Sequence, residues 1–292
     1  MKLLFKEYNI EIPVTLSEVE RKDILKLAEI SNIYDKIHME FNLERKENSE
    51  VKDLLCYKGK QLIGYLVIYP SYKKGNVKIT GTVHPEFRRQ GIFSALFKKA
   101  KEVCLGDDIH TITLINEQGS KGGTEVAYYL GGELEYSTYK MNFQRELYQK
   151  KPKTVDHFSF RKACKEDIDD LVRIGTEGFG TTEEEERSFI KSNLKDTNRN
   201  VFVGEIKGKI VGTISARQWS EKMLISDLVV LKSYRGQGIG RKILSKTIDK
   251  LLNKGLDKIT LVVETQNKNA LLLYKDCGFK VDNANDFYKI SI

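Results

Sequence analysis

The sequence predicts a mixed α/β fold that is written twice in a chain of 292 residues. Two observations establish the unit. The apolar run Leu224 to Leu231 ends in the glycine-dense turn Tyr234-Arg-Gly-Gln-Gly-Ile-Gly240, which opens an amphipathic helix. Short strand-like and helix-like stretches alternate around it. The third observation establishes the duplication: Phe87-Arg-Arg-Gln-Gly-Ile-Phe93 repeats the turn upstream, again between a strand-like and a helix-like run.

In the second half, Phe158 to Arg161 has the pattern of a short strand, and Glu166 to Glu177 that of an amphipathic helix. Thr182 and Glu185 stand at capping-box spacing, so Thr182-Glu-Glu-Glu-Glu186 starts another helix. Strand patterns follow at Asn200 to Ile206, Ile210 to Ala216 and Lys222 to Val230. The helix from Gly238 puts Ile239, Ile243, Leu244, Ile248, Leu251 and Leu252 on one face, and Gly255 stops it. Lys258 to Val263 is a strand, Asn269 to Asp276 a helix, and Phe287 to Ile292 a last strand. The first half follows a similar order, which is not a long alternating Rossmann series.

A constant shift of 147 residues pairs Gly91 with Gly238, Arg88 with Arg235, Gln90 with Gln237 and Ile92 with Ile239. It also pairs Ile112-Thr-Leu114 with Ile259-Thr-Leu261, Glu117 with Glu264 and Gly131 with Gly278. A joint is expected where Gln149-Lys-Lys-Pro-Lys153 is polar and broken by proline. Two domains follow, residues 1–150 and 151–292.

Composition narrows the function. The +8 net charge is spread, with 23 basic against 21 acidic residues up to residue 150 and 26 against 20 beyond it. Nucleic-acid binders concentrate charge on one face or arm, so no nucleic-acid role is expected. No apolar run has membrane-spanning length and no signal-peptide pattern follows Met1, so a cytoplasmic location is expected. Cys56, Cys104, Cys164 and Cys277 are far apart and no histidine stands at ligand spacing. The expectation is reduced, buried thiols and no metal.

A strand, a glycine-dense turn and a helix make an anion cradle, because free N–H groups of the first helical turn point at the ligand. A dinucleotide site fits poorly. Its third glycine would fall at Arg241, Leu231-Lys-Ser-Tyr234 separates strand from glycines, and too few elements follow. A Walker loop is excluded, because no Gly-Lys-Ser/Thr is present.

The run Arg-Gly-Gln-Gly-Ile-Gly, followed one strand later by Asn267-x-x-Ala270-x-x-x-Tyr274-x-x-x-Gly278-Phe279, resembles the GNAT superfamily of acetyl-CoA-dependent N-acetyltransferases. The likeness is strong over residues 200–292 and partial in the first half, so the chain looks like a tandem member. The resemblance implies two α/β (α+β) domains, each a central mixed sheet flanked by helices, with acetyl-CoA as co-substrate. Arg235, Gly236, Gln237, Gly238, Ile239, Gly240 and Arg241 would cradle its pyrophosphate, and the edge of Leu228, Val229 and Val230 would bond the pantetheine arm. Asn267 would contact the cofactor, although a helix-capping asparagine is an equal reading. Tyr274 would give a proton to the departing thiolate; the plain alternative is a core tyrosine, since Ala270, Tyr274 and Cys277 share a helix face.

Asp227, in the strand before the turn, is the candidate base, with Glu264 second; Glu183 to Glu186 has the character of a helix start, although the resemblance implies that early helices line the acceptor pocket. Carried back by the repeat, Tyr274 falls on Ala127, Asn267 on Ser120, Asp227 on Thr80 and Gly240 on Phe93. The first domain is therefore expected to be degenerate, structural or acceptor-shaping, with Tyr128 or Tyr129 able to restore a phenol only by a one-residue helix shift. The expected function is acetyl transfer to a primary amine by the second domain. A small-molecule acceptor is favoured over a protein, and the protein is expected to be a monomer or homodimer. A non-catalytic acyl-CoA-binding protein and an interaction scaffold are the rival classes.

Overall fold

The computed structural model describes residues 8–44, 49–71, 74–105, 108–149, 156–219 and 221–292. The elements run β1 (Asn9–Glu11), α1 (Glu18–Asp35), β2 (Lys52–Lys58), β3 (Gln61–Pro70), β4 (Asn76–Val83), α2 (Ile92–Cys104), β5 (Thr111–Glu117), α3 (Lys121–Tyr129) and β6 (Glu133–Phe143). They continue as β7 (Phe158–Lys162), α4 (Ile168–Phe179), α5 (Glu183–Lys195), β8 (Arg199–Ile206), β9 (Lys209–Trp219), β10 (Lys222–Val230), α6 (Ile239–Leu252), β11 (Ile259–Glu264), α7 (Lys268–Asp276) and β12 (Phe279–Ser291).

The chain forms two compact units, and they are not consecutive stretches. One comprises Met1–Ser137 with Asn283–Ile292, the other Thr138–Asp282. In the first unit the strand order is β1-β2-β3-β4-β5-β12, and in the second β6-β11-β10-β9-β8-β7. Within each, one internal pair is parallel, β4 with β5 and β10 with β11, and the other pairs are antiparallel. Each unit is thus a mixed sheet with helices on its faces.

A linear division at residue 150 misses this exchange of last strands. Residues 150–155, where the joint was expected, lie outside the described residues, and Thr138 to Gln149 belong to the second unit. The exchange preserves the repeat: Thr138 pairs with Glu264 and Asn285 with Glu117, positions related in both strands by the same shift of 147. The backbone pairing is therefore the same whichever half supplies the strand. The last strand also begins at Phe279, eight residues before the expected Phe287.

Two cores hold the second unit. On one face Ile239, Ile243, Leu244 and Ile248 of α6 and Tyr274 of α7 pack on Met223, Ile225 and Leu261. On the other, Leu171, Val172 and Ile174 of α4 and Ile190 of α5 pack on Val201, Val203 and Val229. Helix α4 follows a 3-10 turn, Lys165–Asp167, that is fastened by Arg161. The guanidinium donates to both Asp167 oxygens at 2.7 and 2.8 Å and holds that carboxyl down to about 2. Helix α5 begins with the predicted capping box, Thr182 with Glu185. Cys56, Cys104 and Cys277 are buried as expected, whereas Cys164 is exposed at the 3-10 turn.

Candidate active site

Strand β10 carries the local irregularity on which the site is built. Ser226 pairs with Ser215 and Val229 with Thr213, so Asp227 and Leu228 oppose a single residue of β9. This is a β-bulge, and Asp227 takes a left-handed backbone with φ 56°. The bulge changes which residues face which core. Met223 and Ile225 lie on the α6 side before it, and Leu228 and Val230 lie there after it. Asp227 and Val229 are turned instead toward α4 and α5.

The bulged carboxylate borders a cleft whose walls include Leu171, Gly175, Phe179, Glu186, Phe189 and Asp227. Asp227 is anchored from behind: Arg199 Nη1 donates to its Oδ2 at 3.0 Å and Ser226 Oγ donates to the same oxygen at 2.9 Å. Glu186 has a different setting. It is 5% exposed, and its Oε2 accepts from the Thr181 hydroxyl at 2.9 Å. Burial pushes its carboxyl above the ordinary range, the Thr181 bond opposes this, and the charge of Asp227 adds to it.

Beyond the bulge β10 leaves its parallel neighbour. Pairing with β11 is confined to Met223–Ile225, so among the described residues Leu228, Val229 and Val230 have no strand partner on that side. The chain then makes a 3-10 turn, Lys232–Tyr234, passes Gly236 at φ 77° and reaches Gly238 at φ 82°. Gly238 is the N-cap of α6, and no side chain caps that end. The first-turn N–H groups therefore lack an intrahelical acceptor. Arg235 and Gln237 brace the turn by donating to the carbonyls of Val230 (2.9 Å) and Ser233 (3.2 Å). Ile239 contributes only backbone, because its side chain is in the core. Arg241 is ion-paired with Asp276. A Cβ on Gly240 would meet Leu273 and Val230 only at ordinary distances of 3.6 and 3.7 Å. The protein's own packing does not require glycine there.

Tyr274 of α7 is 9% exposed and sets its ring edge-on to Phe279 at 6.1 Å. Burial pushes its phenol up to about 12, and the charge of Asp227 acts in the same direction. The hydroxyl is thus protonated throughout the neutral range. Asn267 is the N-cap of α7 and accepts the N–H of Ala270 at 3.1 Å, so its capping role is present. Glu264 is exposed at the end of β11. The sequence pointed to Asp227, Tyr274 and the cradle, favoured a helix-start role for Glu186 over a place beside the acceptor pocket, and passed over Gly175 and Arg199. Glu186, Ile190 and Asn193 recur at helical spacing with buried side chains, a signal hidden by the helix-start character of the acidic run.

The first unit keeps the glycine turn but not the bulge. Gly91 caps α2 at φ 75°, Arg88 Nε donates to the Val83 carbonyl at 3.0 Å, and Gln90 donates to the Glu86 carbonyl at 3.2 Å. Pairing of β4 with β3 runs without a register shift through Thr80, so there is no bulge. Tyr65 pairs with Thr82 where Thr213 pairs with Val229, placing a large ring at a cleft-lining position. That ring is fully buried, packs edge-on against Phe41 at 4.8 Å and bonds Asp53 through its hydroxyl at 2.5 Å. Ala127 is buried in the tyrosine slot while Tyr128 and Tyr129 are exposed. The helix has not shifted to restore the phenol. Ser120 caps α3 as Asn267 caps α7.

Both units are mixed sheets with a strand leading into a glycine-capped helix, and in the second that strand is splayed and bulged. The model of the Acetyltransferase (GNAT) family matches residues 21–124 and again 165–279, and the chain belongs to that family. An N-alpha-acetyltransferase MAK3 of Arabidopsis thaliana is 38% identical over 82 residues, 27% of this chain and 43% of that protein. A thialysine N-epsilon-acetyltransferase of Mus musculus is 46% identical over 54 residues, 18% and 32% respectively. The chain thus spans less than half the length of these two relatives. A GCN5-related N-acetyltransferase from Sphaerobacter thermophilus has the same fold, with TM-score 0.79 and 18% identity over 98% of this chain and 96% of that one. A tandem GNAT protein from the clavulanic acid biosynthesis pathway superposes with TM-score 0.73 at 14% identity, over 97% and 98%. Among the described residues no His/Cys/Asp/Glu group could hold a metal, and no helix is long and apolar enough to cross a membrane.

Proposed function

We propose that the second unit transfers the acetyl group of acetyl-CoA directly to the primary amine of a small molecule. The observation that carries this is the bulge at Asp227. It lies where the cleft, the open edge of Leu228 to Val230 and the environment of Tyr274 meet. The residues suit acetyl-CoA: uncapped N–H groups and the helix dipole at Gly238 favour phosphate, and Gly240 leaves room for close approach. The co-substrate supplies an activated thioester carbonyl.

The chain's own residues supply the rest. The unpaired β10 edge orients the donor along the strand, so that an amine in the cleft meets it in line. A carboxylate of the cleft takes the amine's proton, freeing the lone pair. The Tyr274 phenol, neutral across the working range, gives its proton to sulfur as the carbon–sulfur bond breaks. The first unit, with Tyr65 and Phe41 filling the corresponding cleft, acts as a structural partner. The metal-free donor set, an amine acceptor in place of nucleic acid, a cytoplasmic location and a monomer or homodimer complete the proposal.

The test is thiol release from acetyl-CoA over an amine panel, comparing the native chain with Tyr274→Phe and Gly238→Glu. Turnover by the native chain, reduced roughly a hundredfold or more in kcat by Tyr274→Phe, is expected. Gly238→Glu is expected to abolish acetyl-CoA binding in calorimetry. Binding without turnover on any amine would replace the proposal by a non-catalytic binding role.

A further inference from the structure

The cleft holds two carboxylates that are not equivalent. Asp227 Oδ2 is shared by Arg199 and Ser226, so its charge is met by a guanidinium whose side chain is 9% exposed. Glu186 has a hydroxyl bond from Thr181 but no ion pair among the described residues. A buried carboxylate without a counter-ion is costly, and it persists where a ligand supplies the missing charge. Gly175 leaves the space that the Glu186 carboxyl fills. Gly175 sits inside α4, where glycine costs about 1 kcal/mol relative to alanine, and any Cβ at that position would overlap the Glu186 carboxyl. The charged and titratable groups bearing on Glu186 are few: Asp227 from β10 with Arg199 behind it, while α4 offers the cleft only Leu171, Gly175 and Phe179.

We infer that Glu186, not Asp227, is the proton acceptor of the transferase, and that the acceptor substrate is an aliphatic primary amine entering as its ammonium. This rests on the transferase reading above. The ammonium supplies the cation that Glu186 lacks, and Arg199-paired Asp227 holds the same nitrogen beside the bulge. Glu186 then takes one proton from the ammonium and becomes neutral, leaving the nitrogen lone pair free. The nitrogen bonds to the thioester carbonyl carbon and the carbon–sulfur bond breaks. The sulfur takes the Tyr274 proton, and the second nitrogen proton passes to the Tyr274 oxygen. Glu186 finally loses its proton to solvent, so the products are the N-alkylacetamide, the free thiol and one proton.

The experiment measures kcat/KM against pH for the native chain, Glu186→Gln and Asp227→Asn, with one simple alkylamine and one amine whose conjugate acid is largely dissociated at neutral pH. Glu186→Gln keeps the size of the side chain and an oxygen for Thr181, and circular dichroism confirms its fold. With the alkylamine at neutral pH it is expected to lose roughly a hundredfold or more. That loss should shrink about tenfold per pH unit toward the amine's own pKa, because solution then supplies the neutral amine. With the weakly basic amine the loss is expected to stay within about tenfold. Asp227→Asn should lower the rate without this recovery. A Glu186→Gln loss below threefold, or one independent of pH and of amine basicity, overturns the assignment while leaving the transferase standing. A native chain silent on every amine overturns the transferase reading and the inference with it.

Discussion

Gly175 and Glu186 occupy complementary space on neighbouring helices: the volume a Cβ would take at residue 175 is filled by the Glu186 carboxyl. Helix α4 therefore gives up a better helix former to seat an acid from α5. Gly175→Ala should gain up to about 1 kcal/mol of helix propensity and lose roughly 1–3 kcal/mol to overpacking. A net destabilisation in urea unfolding is expected, together with a loss of more than tenfold in kcat/KM. Full activity would show that the position of Glu186 does not matter.

The acid has a stability consequence of definite sign. The folded-state Glu186 carboxyl lies above its unfolded value, so its contribution is fully present below the unfolded pKa and is lost as pH rises through the folded one. Deprotonation as pH rises leaves a buried charge without a counter-ion. Glu186→Gln should therefore gain more thermal midpoint over the native chain at pH 7 than near pH 4. A midpoint gain of the same size at both values would assign it to something other than the charge.

Tyr274 makes the opposite end of the pH range informative. Its phenol is raised from 10 to about 12, so the folded state keeps a proton that the unfolded chain releases. Stability is lost as pH rises from about 10 to 12, on the order of 2–3 kcal/mol for a two-unit shift of a buried group. Unfolding of the native chain and Tyr274→Phe, followed across that window, should diverge in slope. Parallel curves would mean that the hydroxyl reaches water.

At low pH the sensitive group is Asp167. Its carboxyl is held down to about 2 by Arg161, so the stability it contributes is present above about 4 and is lost as pH falls toward 2. Arg161→Met removes the two bonds to Asp167 at the start of α4 and the pair with Glu205 of β8, and should cost about 1–3 kcal/mol at neutral pH. The difference between variant and native chain should vanish near pH 2. An undiminished difference there would trace the loss to packing of the arginine stem.

The cradle and Tyr274 were legible in the sequence because each depends on neighbours close in the chain: positive-φ glycines, a helix start, a tyrosine seven residues after its capping asparagine. The bulge was not. Whether two residues of β10 oppose one of β9 depends on the partner: β3 has six residues from Gly64 to Tyr69 where β9 has five from Gly212 to Ala216. That single residue keeps β4 flat at Thr80 and lets β10 buckle at Asp227. Glu186 was discounted for another reason, since an acid in a first helical turn is satisfactory on the macrodipole alone.

The strand exchange was the least legible feature, because Thr138–Glu264 and Asn285–Glu117 are equivalent pairings under the repeat. Local sequence is indifferent to which half supplies the strand. It nevertheless makes a sharp prediction for Tyr288, which is 2% exposed and packs with Leu96, Ala127 and Ile112 in the core of the first unit. Tyr288→Ala should cost about 3–5 kcal/mol, as for other buried aromatic truncations. The loss should fall on the distant half of the sequence. Hydrogen exchange is expected to accelerate in β5 and α3, more than 150 residues upstream, while amides of α6 and β10 keep their protection. Acceleration in β11 instead would mean that the last strand completes the half from which it comes.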